Sequence, residues 1–144
     1  KQGEESMATV RITVGNLVFV AQWEEGDAPR TCAALRGLLP LRNRLIQARW
    51  SGESAWIPLG DLPTGLGIEN ATSHPAPGDI LLYPGGYSET ELLIAYGACS
   101  FASRMGPLAG NHFLSIVEGR EHLRALGEKV LWQGAQDVVF ESHE

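Results

Sequence analysis

Gly78-Asp79-Ile80-Leu81-Leu82-Tyr83-Pro84-Gly85-Gly86 opens the stretch that decides the fold. It continues through Thr90-Glu91-Leu92-Leu93-Ile94-Ala95-Tyr96-Gly97 to Gly110-Asn111-His112-Phe113-Leu114-Ser115-Ile116-Val117-Glu118-Gly119. Short apolar runs set between glycine and proline turns read as strands buried on at least one face. Gly85-Gly86 follows a strand but is not followed by Lys-Ser/Thr or a dinucleotide pattern, so it reads as a plain turn and not a phosphate loop.

Upstream, Val10, Ile12 and Val14 alternate with Arg11 and Thr13, the period of a half-buried strand. Gly15-Asn16 turns this strand into Leu17-Val18-Phe19-Val20-Ala21, because glycine accepts the positive φ of a two-residue hairpin. Asp27-Ala28-Pro29 reads as a helix start with Asp27 as the capping carboxylate. Cys32, Leu35, Leu38 and Leu39 share one helical face, and Pro40 ends the helix. A second hairpin runs from Leu45 to Trp50, turns over 51–54, and returns through Ala55-Trp56-Ile57 to Pro58, which belongs at a strand edge or end. Residues 60–78 are rich in proline and glycine. A connection that long reads as either a binding loop or a covering flap.

Downstream, Arg120 to Leu126 predicts a short helix stopped by Gly127, and Val130-Leu131-Trp132 and Val138-Val139-Phe140 read as closing strands. About eight mostly antiparallel strands and two short helices result. A barrel or a sandwich is the economical arrangement, since closure removes exposed edges. Val14, Phe19, Leu35, Ile80, Leu82, Ile94, Ile116 and Val139 are expected in the core.

The 144 residues read as one domain, 1–144, long enough to bury a sizeable core. Residues 1–8 show no periodicity and read as an unstructured or expression-derived start, with Met7 a candidate natural start. Seventeen glycines, about 12% against a typical 7% or so, favour a turn-rich β chain. The net charge of −6 and the lack of a basic run argue against nucleic acid. No stretch approaches a membrane span and no signal peptide is recognisable, so a soluble cytoplasmic protein is expected. Cys32 and Cys99 read as two reduced, packed thiols. Asn70-Ala71-Thr72 matches a glycosylation acceptor by chance. His74, His112, His122 and His143 are scattered without ligand spacing, so neither a metal nor a cofactor is expected. No Gly-x-Ser-x-Gly elbow marks a hydrolase. A homo-oligomer is left open.

Three segments resemble the cyclophilins, which share an eight-stranded barrel with two helices. Ala28-Pro29-Arg30-Thr31 looks like their Val-Pro-Lys-Thr, Thr90-Glu91-Leu92-Leu93-Ile94 like their Ser-Gln-Phe-Phe-Ile, and Gly110-Asn111-His112-Phe113 with Glu118-Gly119 like their Gly-Lys-His-Val and Glu-Gly. Longer hallmarks are similar to a bacterial family of unassigned function with a cyclophilin-like fold. They are Ala48-Arg49-Trp50-Ser51-Gly52-Glu53, Glu69-Asn70-Ala71-Thr72, Pro77 to Gly86, and Ala109 to Phe113. The resemblance implies a closed cyclophilin-like barrel and transfers no activity. Prolyl isomerisation, which must lower a barrier of about 18–20 kcal/mol, is the alternative it suggests. Arg49 and His112 would take the groove positions. Glu91, Leu92-Leu93 and Pro107 depart from the glutamine, phenylalanines and tryptophan expected there, so isomerase activity is not expected.

Arg49, Trp50, Glu53, Tyr83, Glu89, Glu91, Tyr96 and His112 lie at strand ends or turns of an otherwise apolar chain. Charged groups beside buried aromatics either satisfy each other or line a pocket. The expectation is a groove lined by Arg49, Glu91 and His112 for a small polar or carboxylate-bearing metabolite. Arg49 would clamp the anion and His112 could move a proton. A structural or protein-interaction module is the remaining alternative.

Overall fold

The computed structural model describes residues 8–143, so the expectation for the chain's start lies, Ala8 apart, outside the described residues. The strands are β1 (Thr9–Val14), β2 (Leu17–Trp23), β3 (Leu41–Gln47), β4 (Gly52–Gly60), β5 (Ala71–Thr72), β6 (Asp79–Tyr83), β7 (Thr90–Cys99), β8 (Ala102–Ser103), β9 (Gly106–Pro107), β10 (Gly110–Glu118) and β11 (Gln136–His143). The helices are α1 (Pro29–Arg36) and α2 (Leu123–Gln133), the second preceded by a 3-10 turn over Arg120–His122. Eight strands run in the order β2-β1-β11-β3-β4-β7-β6-β10, and pairing of β10 with β2 closes the barrel. Every neighbouring pair is antiparallel.

Alternation along each strand separates two apolar layers. Val10, Ile12, Val14, Phe19, Ile80, Leu82, Leu92, Ile94 and Phe113 form one core, joined by Cys32 and Leu35 of α1 and Leu126 and Val130 of α2. The opposite parity places Leu81, Tyr83 and Leu93 in a second cluster with Ala48, Phe101 and Leu108. This outer cluster lies under the β8–β9 hairpin. Gly110 admits it, because a Cβ there would meet Leu81 and the Phe101 ring. Seven of the expected core residues are buried. Val139 is only half-buried, since Val138 and Phe140 take the inward parity of β11 while Val139 pairs with Thr13 and Arg42.

Three further expectations are corrected. Asp27 does not cap α1: the N-cap is Ala28, with no side-chain cap of its own. Pro29 at the first turn lacks an N–H, and the free donors that follow it are satisfied from far along the chain. Glu69 accepts from Arg30 N (3.0 Å), Thr31 N (2.7 Å) and Thr31 Oγ1 (2.6 Å). Burial pushes the Glu69 carboxyl up, but these hydrogen bonds outweigh it and hold the group below its ordinary range. β4 does not stop at Pro58. It runs to Gly60, with Pro58 opposite Glu91 and its carbonyl accepting from Asn43 Nδ2 at 3.1 Å.

The third correction concerns Gly127 and the apolar triplet after it. Val130-Leu131-Trp132 is helical, because α2 continues through Gly127. Leu123, Leu126, Gly127 and Val130 are its buried residues, the i, i+3, i+4, i+7 spacing of one helix face. The glycine is a packing notch: a Cβ there would collide with the Tyr96 ring. Tyr96 is itself held by a 2.6 Å hydrogen bond to Gln47 Oε1. Glycine to alanine inside a helix ordinarily stabilises by up to about 1 kcal/mol. Gly127→Ala should instead destabilise by roughly 1–3 kcal/mol in denaturant titration, and adding Tyr96→Ala should restore the ordinary sign. A stabilised single variant would show that helix and ring do not meet.

Candidate functional site

The outer parity of β7 carries Glu91 and Leu93, and that of β4 carries Trp56. Together with the 48–51 turn, Ser88 and the 102–104 segment, these residues enclose a cavity of about 200 Å³. Ala48 and Leu93 belong to the outer apolar cluster. Trp50 and Trp56 add two indoles, and Arg49 and Arg104 add two guanidiniums. Ser51 and Ser103 also line the cavity, but their hydroxyls are engaged. Ser51 Oγ bridges Ala102 O and Ala102 N, each at 3.0 Å, and Ser103 Oγ accepts from Met105 N at 3.0 Å.

Glu91 is the unusual member. It is 7% exposed, and among the described residues no hydrogen bond or ion pair reaches its carboxyl. Burial first, and then the neighbouring Glu89 carboxylate, push it up to about 7. The arginines do not offset this. Arg49 lies 5.6 Å from the Trp50 ring centroid, and neither it nor Arg104 is ion-paired among the described residues. A carboxyl that is neutral or ionised near pH 7 thus shares a cavity with two uncompensated cations. Such a group can give or take a proton, while the guanidiniums can hold an anion.

Of the eight residues expected from the sequence, Arg49, Trp50 and Glu91 line this cavity, and exposed Glu89 acts on it only through its charge. Glu53 and Tyr96 line a different, open cavity of about 600 Å³ beside α2. There Glu53 Oε1 accepts from Ala98 N at 2.7 Å. Burial and the Glu53 charge push the Tyr96 hydroxyl up, against its bond to Gln47. Tyr83 stands edge-on to Phe101 with ring centroids 6.0 Å apart, and its hydroxyl accepts from Tyr87 N at 3.0 Å.

His112 does not line the Arg49 cavity, so the single groove of Arg49, Glu91 and His112 is corrected. Its Nε2 lies 2.8 Å from Ser115 Oγ and 3.4 Å from Asp79 Oδ1, while Ser115 Oγ donates to Glu24 Oε2 at 2.6 Å. This is not a hydrolytic triad. In a triad the carboxylate holds the ring nitrogen remote from the serine, whereas here Ser115 and Asp79 meet the same one. Sequence reasoning missed Arg104 and Ser88, whose only signal was proximity to turns, and Trp56, which lies within β4 opposite Leu93. Among the described residues no group of three or more histidine, cysteine or acidic side chains is placed to hold a metal ion, and no helix is long and apolar enough to cross a membrane.

A family described as a protein of unknown function, DUF3830, matches residues 10–142. The chain belongs to this family. No curated protein matches the DUF3830 chain. Among the solved structures that share its fold are two at 19% identity. One is McbB in complex with tryptophan, with a TM-score of 0.73 over 92% of this chain and 44% of that one. The DUF3830 protein therefore spans less than half of McbB. The other is the solution structure of the hypothetical protein AF2241 from Archaeoglobus fulgidus, with a TM-score of 0.62 over 94% and 95% of the two chains. The likeness to cyclophilins rests on the short sequence motifs alone.

The buried acid has a consequence for stability. With its pKa raised, Glu91 keeps a proton in the folded chain that the unfolded chain releases from about pH 4.5 upward. Its contribution is most favourable below 4.5 and is lost as pH rises through about 7. At about 1.4 kcal/mol per pH unit, the whole effect is about 3 kcal/mol. Glu91→Gln should therefore gain on the parent by up to about that amount between pH 4 and pH 8, measured by urea unfolding at each pH. A difference independent of pH would place the carboxyl in solvent.

Proposed function

We propose that this DUF3830 protein binds a small, flat, carboxylate-bearing metabolite in the cavity between β4, β7 and the 102–104 segment. One observation carries the reading: three charged side chains, Arg49, Arg104 and Glu91, line one cavity without compensating one another. Burying the Glu91 carboxyl without a partner costs free energy, while Arg49 and Arg104 are exposed at the cavity and free to hold an anionic ligand. The Trp50 and Trp56 indoles offer faces to a planar group, and Ala48 and Leu93 give an apolar floor. A volume of about 200 Å³ falls below the roughly 300–1,000 Å³ typical of drug-sized ligands, which favours a metabolite of one or two rings. McbB was solved in complex with tryptophan, and a similarly folded protein holding an aromatic amino acid supports a ligand of that chemistry here.

The test is calorimetric titration of the full chain with benzoate, phenylacetate and indole-3-acetate, with neutral indole as control. At least one acid should bind while indole binds far more weakly. Arg49→Ala and Arg104→Ala should each lose about tenfold or more in affinity, as expected for a charge-assisted hydrogen bond worth roughly 1.5–3 kcal/mol. Equal binding of indole and the acids, or indifference to both arginine changes, refutes an anion site.

A further inference from the structure

We propose that the same cavity catalyses the keto–enol interconversion of aryl 2-oxo acids, with Glu91 carrying the proton and Arg49 and Arg104 holding the anionic oxygens. This rests on the binding reading above and assigns it a reaction. Glu91 is the cavity's one acidic side chain. The Ser51 and Ser103 hydroxyls are committed to backbone groups, guanidiniums do not give up protons near neutral pH, and His112 lies in another network. Available to a substrate are therefore a single proton carrier, two exposed guanidiniums and two indoles.

That inventory suits one class of reaction. A 2-oxo acid bound by its carboxylate at an arginine would set its aryl group against the indoles, leaving the carbon between ring and ketone to face the remaining acid. An ionised Glu91 oxygen takes a proton from that carbon. The C–H electron pair becomes the C=C bond of the enol, and the carbonyl π pair moves onto oxygen. The second guanidinium stabilises this developing oxyanion by hydrogen bonding. The enolate oxygen then takes a proton from Glu91, directly or relayed through a water, which completes the enol and returns Glu91 to its ionised form. No atom is lost and no oxidant, reductant or co-substrate is used. The reverse sequence ketonises the enol. Partial burial favours the step, since a desolvated carboxylate is a stronger base than one in water.

The experiment uses the full chain in D2O with phenylpyruvate, following exchange of its methylene protons by NMR, and phenyllactate as a non-enolisable binding probe. Exchange should run well above the buffer rate. Glu91→Gln should slow it by about 100-fold or more, as for loss of a general base, while binding phenyllactate within a few-fold of the parent. Glu91→Asp, which keeps the carboxyl but withdraws it, should fall between the two and guards against a fold defect in the glutamine variant. If phenyllactate binds but exchange stays at the buffer rate, or Glu91→Gln exchanges like the parent, the catalytic inference is overturned and the binding site stands. If neither acid binds, both readings fall.

Discussion

A junction of buried Thr31 and Asn111 with the more exposed Glu69 ties the irregular part of the chain to the barrel. α1 begins with a proline and has no local side-chain cap, so its free N–H groups need an acceptor from elsewhere. Glu69 supplies it from the long 60–78 connection. Asn111 of β10 then fixes the connection: its Oδ1 accepts from Glu69 N at 3.0 Å, and its Nδ2 donates to Gly67 O at 3.0 Å and Thr31 Oγ1 at 3.2 Å. Asn111 is 1% exposed and Thr31 fully buried. Removing one partner would leave buried polar atoms unpaired, at about 1–3 kcal/mol each. Helix, loop and strand are thereby tied together, and Leu66 of the loop packs against the barrel core.

That anchoring makes a second consequence possible. β10 starts from the junction at Gly110, and the hairpin before it folds back over the outer face of β6 and β7. Ser51 holds the hairpin down by bridging both backbone groups of Ala102. The hairpin brings Phe101 and Leu108 onto Leu81 and Leu93, turning a sheet face that would be solvated into a second apolar layer. Glu91 is buried because this layer exists, and Arg104 reaches the cavity because it sits in the same segment. The candidate site is thus a product of the hairpin's docking, with the barrel interior as its support.

This division explains what could be read from the sequence. The barrel strands announce themselves through local alternation and turn chemistry: Val10, Ile12 and Val14 with Gly15-Asn16 form the hairpin they specify. Val130-Leu131-Trp132 misled because a β-rich triplet followed a glycine that looked like a helix stop. The reason for Gly127 is the Tyr96 ring, a contact between residues 31 positions apart that no local pattern carries. Val138-Val139-Phe140 is apolar at three successive positions, so parity could not be assigned without the neighbouring strands. At the site, Arg49, Trp50 and Glu91 were legible through motifs and parity. Arg104, Trp56 and Ser88 were not, because they arrive by tertiary folding. His112 was expected beside Arg49, but at its place on β10 it pairs with Leu81, and its ring turns to Ser115 and Asp79.

Four carboxylates that sit against the fold contrast with Glu91. Glu69, Glu53, Glu24 and Asp79 each accept a hydrogen bond from a backbone N–H or a hydroxyl. The arginines give a parallel contrast. Arg36 lies 4.5 Å from the Trp23 ring centroid and is also ion-paired with Glu25. Arg49 makes the same kind of contact with Trp50, yet among the described residues no acid completes it. Glu91 is the one buried carboxyl among the described residues, and keeping it there without a partner costs stability at neutral pH. Packing does not require this, because a glutamine would fill the same volume without the penalty. Stability given up at a cavity rather than in the core is the usual mark of a functional site. The anion that Arg36 finds in Glu25 is the one that Arg49 would take from a ligand.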